Sequence, residues 1–250
     1  MSAEILILLF LIAGIAGFVD AIAGGGGLLT IPALLFAGLS PVQSLATNKL
    51  QACFGSFSST RHFMKSGLID IRRSLWWIFL TAVGAIFGTL LVQQLDKEIL
   101  EVVMPIALIV LAFYSLTNRS LGTHESSPKM SDKAYALSIA STVGAYDGFF
   151  GPGTGTFYTM ANIRWLGMDF VKATGHAKLL NFVSNIVSLI VFATGGHLVI
   201  AAGLAMGAGQ FIGARFGAAT AIARGAGFIR ILTIIMCLLM SAGLLIKFIR

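Results

Sequence analysis

Stretches of about 17 to 24 mostly apolar residues recur eight times along this 250-residue chain, far more than a water-soluble fold uses. They cover residues 5–23, 43–60, 74–92, 100–116, 134–150, 174–193, 198–221 and 228–249. A bilayer core of about 30 Å is crossed by about 20 such residues in a helix. Charged side chains make up 11% of the chain, less than half the roughly 25% of a soluble protein. The expectation is an all-α membrane protein with about eight transmembrane helices. Soluble enzymes and nucleic-acid binders fall away. The net charge of +7 comes from Lys and Arg crowded into short hydrophilic gaps, as the positive-inside rule requires, and not from a nucleic-acid face. Residues 1–12 carry Glu4 and no basic residue, so they read as a retained membrane segment and not a cleaved signal. Cys53 and Cys237 lie in apolar stretches and read as small hydrophobes.

The chain contains a weak internal repeat. Gly17-Phe-Val-Asp20-Ala-Ile-Ala-Gly24-Gly-Gly26-Gly-Leu-Leu-Thr-Ile-Pro32 is echoed at an offset of 127 by Gly144-Ala-Tyr-Asp147-Gly-Phe-Phe-Gly151-Pro-Gly153-Thr-Gly155. At an offset of 129, Lys49-Leu50 matches Lys178-Leu179, Ser66-Gly67 matches Gly195-Gly196, and Gly84 and Gly88 match Gly213 and Gly217. Four matches in register point to duplication. Residues 1–118 form the first membrane repeat, 119–133 a polar linker and 134–250 the second repeat.

Loop charge predicts how the copies are related. The gap 61–73 holds Arg61, Lys65, Arg72 and Arg73, whereas its counterpart 194–198 holds no Lys or Arg. The gap 93–101 is mainly acidic, whereas its counterpart 224–230 holds Arg224 and Arg230 and no acid. With Lys and Arg marking the cytoplasmic side, equivalent loops face opposite sides. The repeats are therefore expected to be inverted, each with an odd number of crossings. That parity requires the glycine-rich segment to enter and return, as two unequal helices or a re-entrant pair. Gly24 to Gly27 would each cost about 1 kcal/mol inside a helix, and Pro152 removes a backbone hydrogen bond. Both copies should break there, and irregular backbone at membrane depth is tolerated only where protein or a wet cavity satisfies it. Matching breaks in two halves point to a transporter's substrate site. The pairs Gly84/Gly88, Gly203/Gly207 and Gly213/Gly217 are spaced for ordinary helix packing.

Polar residues inside the apolar runs supply candidate chemistry. Thr174, Lys178, Asn181, Asn185 and Ser188 share one helix face, and so do Lys49, Ala52, Ser56 and Ser59 in the first copy, with Asn48 and Gln51 alongside. An ammonium at the centre of a membrane helix costs about 2.5 to 3.5 kcal/mol or more, which marks Lys49 and Lys178 as functional candidates. Snorkelling of their stems to the interface is the bland alternative. Two ammonium groups, amide donors from Asn48, Gln51, Asn181 and Asn185, and half-helix N-termini around Gly25, Gly26, Gly27, Gly153 and Thr154 together suit a small anion. Asp20 and Asp147 could pair with the lysines, cap the breaks or carry a coupling proton; His176 is a further proton-carrying candidate. Arg215 reads as an interfacial anchor.

The block Gly17 to Pro32, the following Ala46-Thr-Asn48-Lys49 and the weaker second-half echo resemble the sulfite exporter TauE/SafE family over nearly the whole chain. The resemblance implies a multi-pass bacterial inner-membrane permease that moves sulfite, organosulfonates or related anions outward, with no ATP-binding part. Pro152 and Thr154 depart from the family's glycine-rich pattern. No His-Glu-x-x-His, Gly-x-Ser-x-Gly or Cys/His cluster occurs, so no enzymatic activity, cofactor or metal is expected. The expected partners are a small anionic substrate and the bilayer; a homodimer is left open. An anion channel and an inactive membrane scaffold are the competing readings.

Overall fold

The computed structural model describes residues 1–96, 98–100, 102, 106 and 126–249, with side chains through Arg224. Every regular element among them is helical. Helix α1 (Ala3–Ala23) starts on the Ser2 hydroxyl and stops at Gly24, whose left-handed backbone (φ 79°) a side chain would strain. After that break come α2 (Gly27–Phe36), α3 (Pro41–Lys65) and α4 (Ile71–Gln93). Ser40 and Gln43 form a capping box at the start of α3, and Asp70 caps α4. The second half opens with α5 (Asp132–Tyr135), which passes through a π-helical stretch (Ala136–Ala140) into α6 (Ser141–Phe149). It continues with α7 (Thr154–Leu166), α8 (Phe170–Thr194) and α9 (Ile200–Ile249).

Equivalent elements keep the register read from the sequence. α3 and α8 are both 25 residues long and start 129 residues apart, as do α4 and α9. Left-handed glycines pair off too: Gly24 with Gly151, Gly38 with Gly167, and Gly67 with Gly196. The glycine and proline breaks fall where helix energetics place them, between Ala23 and Gly27 and between Phe149 and Thr154.

One expectation is corrected. Segments 198–221 and 228–249 form one continuous helix, α9, so 224–230 is not a loop. Gly225 and Gly227 cost about 1 kcal/mol each, and without proline that does not break a helix. Segment 43–60 lies within α3 (Pro41–Lys65). Three helices among the described residues are long and apolar enough to cross a membrane, α1, α4 and α8, and α3 is not one of them. Its sequence is diluted by Asn48, Lys49, Gln51, Ser56, Ser58, Ser59 and Thr60, all turned inward and buried. Apart from Leu100, Val102 and Ile106, segment 100–116 lies outside the described residues, as do positions 119–125 of the linker.

Packing turns both broken segments into hairpins. Leu34 of α2 and Leu39 beyond it sit in one cluster with Leu9 and Ala13 of α1, so α2 doubles back. α7 returns along α5 and the π-stretch: the Tyr135 hydroxyl donates to Asn162 Oδ1 at 2.5 Å, and that of Tyr158 to the Ala140 carbonyl at 3.2 Å. Between them, α3 and α8 run antiparallel, with Phe57 against Phe182 (ring centroids 5.5 Å apart) and Phe63 against Gly175. Gly84 and Gly88 of α4 lie on the α6 backbone at Ser141 and Ala145, and Gly213 and Gly217 of α9 lie on α1 at Gly14 and Phe18. Side-chain-free contact of this kind is how helices approach closely in lipid.

The outside is apolar, and polar and charged side chains are buried inside beside the hydrophobic core. Ile7, Leu11, Ile15, Phe79, Phe87, Ile190 and Phe216 are exposed, while Lys49, Lys178, Asp147 and Asn185 are buried. Such a surface is stable only against lipid. Charge divides by end. The end of α3 and the starts of α4, α5 and α8 meet at Phe63, Phe170 and the Arg73–Asp132 pair, and there Arg61, Lys65, Arg72, Arg73, Lys133 and Lys172 gather. At the opposite end, the described residues include Glu4, Asp96 and Glu98 but no Lys or Arg.

Candidate functional site

The tips of the two hairpins meet inside the molecule. A Cβ on Gly24 would collide with Gly155, one on Gly27 would press on Pro152 at 3.1 Å, and the Thr156 hydroxyl donates to the Ala23 carbonyl at 2.6 Å. Both half-helices, α2 and α7, thus begin at this junction. α3 and α8 pass beside it, each with its lysine eight residues past its first residue.

Each lysine reaches the aspartate of the other half. Lys49 Nζ donates to Asp147 Oδ1 at 2.7 Å and also to the Asp147 carbonyl. Lys178 Nζ donates to Asp20 Oδ2 at 2.8 Å. Neither lysine snorkels: their side chains are 1% and 0% exposed. Of the three roles open to Asp20 and Asp147 from the sequence, the geometry has pairing with the lysines for both, and for Asp20 a backbone contact at the helix break as well. The formal charges of the four groups cancel. A buried ammonium without a carboxylate would carry its full desolvation cost.

The two aspartates are not equivalent. Asp147 is 2% exposed and also accepts a hydrogen bond from the Ser184 hydroxyl. Asp20 is 16% exposed, and its second oxygen accepts from the Gly26 N–H at 3.0 Å. A cavity of about 20 Å³ lies between them, with room for about one water. It is lined by eight residues expected from the sequence, Asp20, Gly27, Asn48, Gln51, Asp147, Gly153, Asn181 and Asn185.

The amides have fixed orientations. Asn48 Oδ1 accepts from the Thr30 hydroxyl (2.6 Å) and Gln51 Nε2 (2.8 Å), which leaves its own NH2 for the cavity. Asn181 Oδ1 accepts from Asn185 Nδ2 at 2.5 Å, with the same consequence. Gly26 serves the site by holding Asp20, and Gly25 is not a lining residue. The Thr154 hydroxyl turns away and donates to the Gly151 carbonyl at 2.6 Å. His176 stands at the basic end: its Nε2 accepts from the Asp70 N–H at 3.2 Å, and its Nδ1 lies 3.0 Å from the Lys172 carbonyl.

Four further lining residues, Gly24, Ala52, Gly151 and Gln210, were not among the binding candidates read from the sequence. Gln210 is the notable one. Its side chain fills the space that a Cβ on Gly17 or Gly55 would need, and an uncharged amide in the middle of the apolar run 198–221 was the available signal. Ser184 was missed because its partner, Asp147, lies on a distant helix.

Residues 9–244 match the family described as Sulfite exporter TauE/SafE. The probable membrane transporter protein YfcA of Escherichia coli strain K12 is 44% identical over 245 residues, covering 98% of this chain and 91% of the relative. The probable membrane transporter protein ORF9 of a Sinorhizobium species is 39% identical over 98% of this chain and 94% of the relative. A probable membrane transporter protein of Haemophilus influenzae is 39% identical over 96% and 94%. No solved structure matches significantly. With an apolar exterior, a polar junction of two broken helices and kinship along nearly its whole length, the chain belongs to the sulfite exporter TauE/SafE family and is a membrane transporter.

Proposed function

We propose that this protein is a secondary transporter, acting as an exporter, for small oxyanions such as sulfite or organosulfonates in the bacterial inner membrane. Its two halves form repeats of inverted topology, and the anion is held at the hairpin junction by the lysines, the cavity amides and the starts of α2 and α7. The observation that carries this reading is the crossed pairing of Lys49 with Asp147 and Lys178 with Asp20, which sets both aspartates, though neither lysine, on the wall of one cavity. Antiparallel α3 and α8, of equal length and 129 residues apart, support the inversion. Half-helix N-termini and amide N–H groups suit oxygen-rich anions. A cavity of about 20 Å³ does not admit a sulfonate, so the hairpins must separate as substrate enters, which is the behaviour of a carrier.

Reconstituted vesicles test the reading by flux of sulfite, sulfoacetate, thiosulfate and chloride, with and without a pH gradient. Sulfur oxyanions should move and chloride should lag, and Lys178→Met should abolish transport. If no anion moves, the reading fails. Discrete single-channel currents would replace the carrier by a channel.

A further inference from the structure

We infer that the Asp20 carboxylate occupies the seat that the substrate oxyanion takes, and that anion binding displaces it with uptake of one proton. The inference rests on the oxyanion reading above. Asp20 is held by an ammonium at 2.8 Å and by the Gly26 N–H at the start of α2 at 3.0 Å. Those are the donors that an incoming oxyanion would use, so the side chain acts as a tethered substitute for it. Its partial exposure and place on the cavity wall make it the releasable one. Asp147 has the same type of lysine partner but is sealed in, with Ser184 as an extra donor.

Shared donors make the two occupants exclusive, because the carboxylate and the anion would use the same Lys178 ammonium and Gly26 N–H. Charge then decides what accompanies the exchange. The charged groups facing Asp20 are Lys178 on α8 and, across the cavity, the neutral-sum pair of Asp147 on α6 and Lys49 on α3. A monovalent anion on Lys178 with Asp20 still ionised would leave two negative charges beside one positive charge, away from bulk water, where Coulomb repulsion is weakly screened. One proton from solution on the Asp20 carboxylate keeps the site neutral. On the far side the anion and proton leave together and the Asp20–Lys178 pair reforms.

The test uses the full-length protein in detergent and methanesulfonate, a monovalent anion that does not titrate near neutral pH. Proton uptake is read with a pH dye in weakly buffered solution. Wild-type protein should take up about one proton per anion bound. Asp20→Asn keeps an acceptor for the Gly26 N–H but removes the charge; it should bind methanesulfonate about tenfold or more tighter, with no proton uptake. In vesicles the same variant should exchange anions yet lose accumulation driven by a pH gradient. Binding by wild-type protein without proton uptake, or no tightening in Asp20→Asn, overturns the inference and leaves the oxyanion reading intact. The wild-type measurement stands even if the variant does not fold. Absence of methanesulfonate binding to both proteins overturns the oxyanion reading as well, which separates the two failures.

Discussion

A lysine buried in a bilayer protein is costly without a partner, and here the two partnerships should fail differently. Removing Lys49 strands Asp147, which is 2% exposed, as an uncompensated buried charge; such losses cost about 3 to 5 kcal/mol. Asp20, at 16% exposure, keeps the Gly26 N–H and access to the cavity when Lys178 is lost. Lys49→Met should therefore lower the melting temperature in detergent sharply, and Lys178→Met should lower it less while both abolish transport. Pairing Lys49→Met with Asp147→Leu should recover most of the stability and none of the flux, because an apolar pair replaces a buried ion pair at little cost. Equal melting temperatures for the two single variants would contradict the asymmetry. His176 accepts the Asp70 N–H at the basic end and does not line the cavity, so His176→Gln should leave the dependence of flux on a pH gradient unaltered.

Among the helices, contact without side chains is what sets the spacing of α4 on α6 and of α9 on α1. A Cβ on Gly88 would run into the Ala145 carbonyl, and one on Gly213 into that of Gly14. Gly88→Ala and Gly213→Ala should each cost about 1 to 3 kcal/mol, as overpacking does, and lower the yield of folded monodisperse protein. Gly196 makes a useful comparison: its added methyl would meet open space, and only its left-handed backbone opposes substitution. Gly196→Ala should cost about 1 to 2 kcal/mol and leave transport intact. A melting-temperature series over these three variants checks the ordering.

Taken together, the hairpins approach their common junction from opposite ends, and basic residues gather at one of those ends. The α1–α2 hairpin opens beside Glu4, and the α5–α7 hairpin opens beside Arg73, Lys133 and Arg164. The positive-inside rule predicts that the second end faces the cytoplasm. In intact cells a membrane-impermeant maleimide should label a cysteine placed at Thr194 and not one placed at Arg72. Labelling of both from the same side would refute the inverted arrangement. The same topology explains the crossed ion pairs, since antiparallel α3 and α8 each carry a lysine to the other half's break.

Local features were readable along the chain: helix breaks at Gly24–Gly26 and Gly151–Gly153, polar stripes on α3 and α8, and offsets of 127 and 129 between halves. They follow from backbone cost and helical period, which depend only on neighbours a few residues away. Which residue meets which across those offsets was not readable. The neutralisation of each lysine by the opposite half, the Ser184 contact that seals Asp147, the amide of Gln210 against Gly17 and Gly55, and the removal of His176 and Thr154 from the cavity all required the fold. Those partners lie far apart in sequence, and only the packing of antiparallel helices between two opposed hairpins brings them within hydrogen-bond reach.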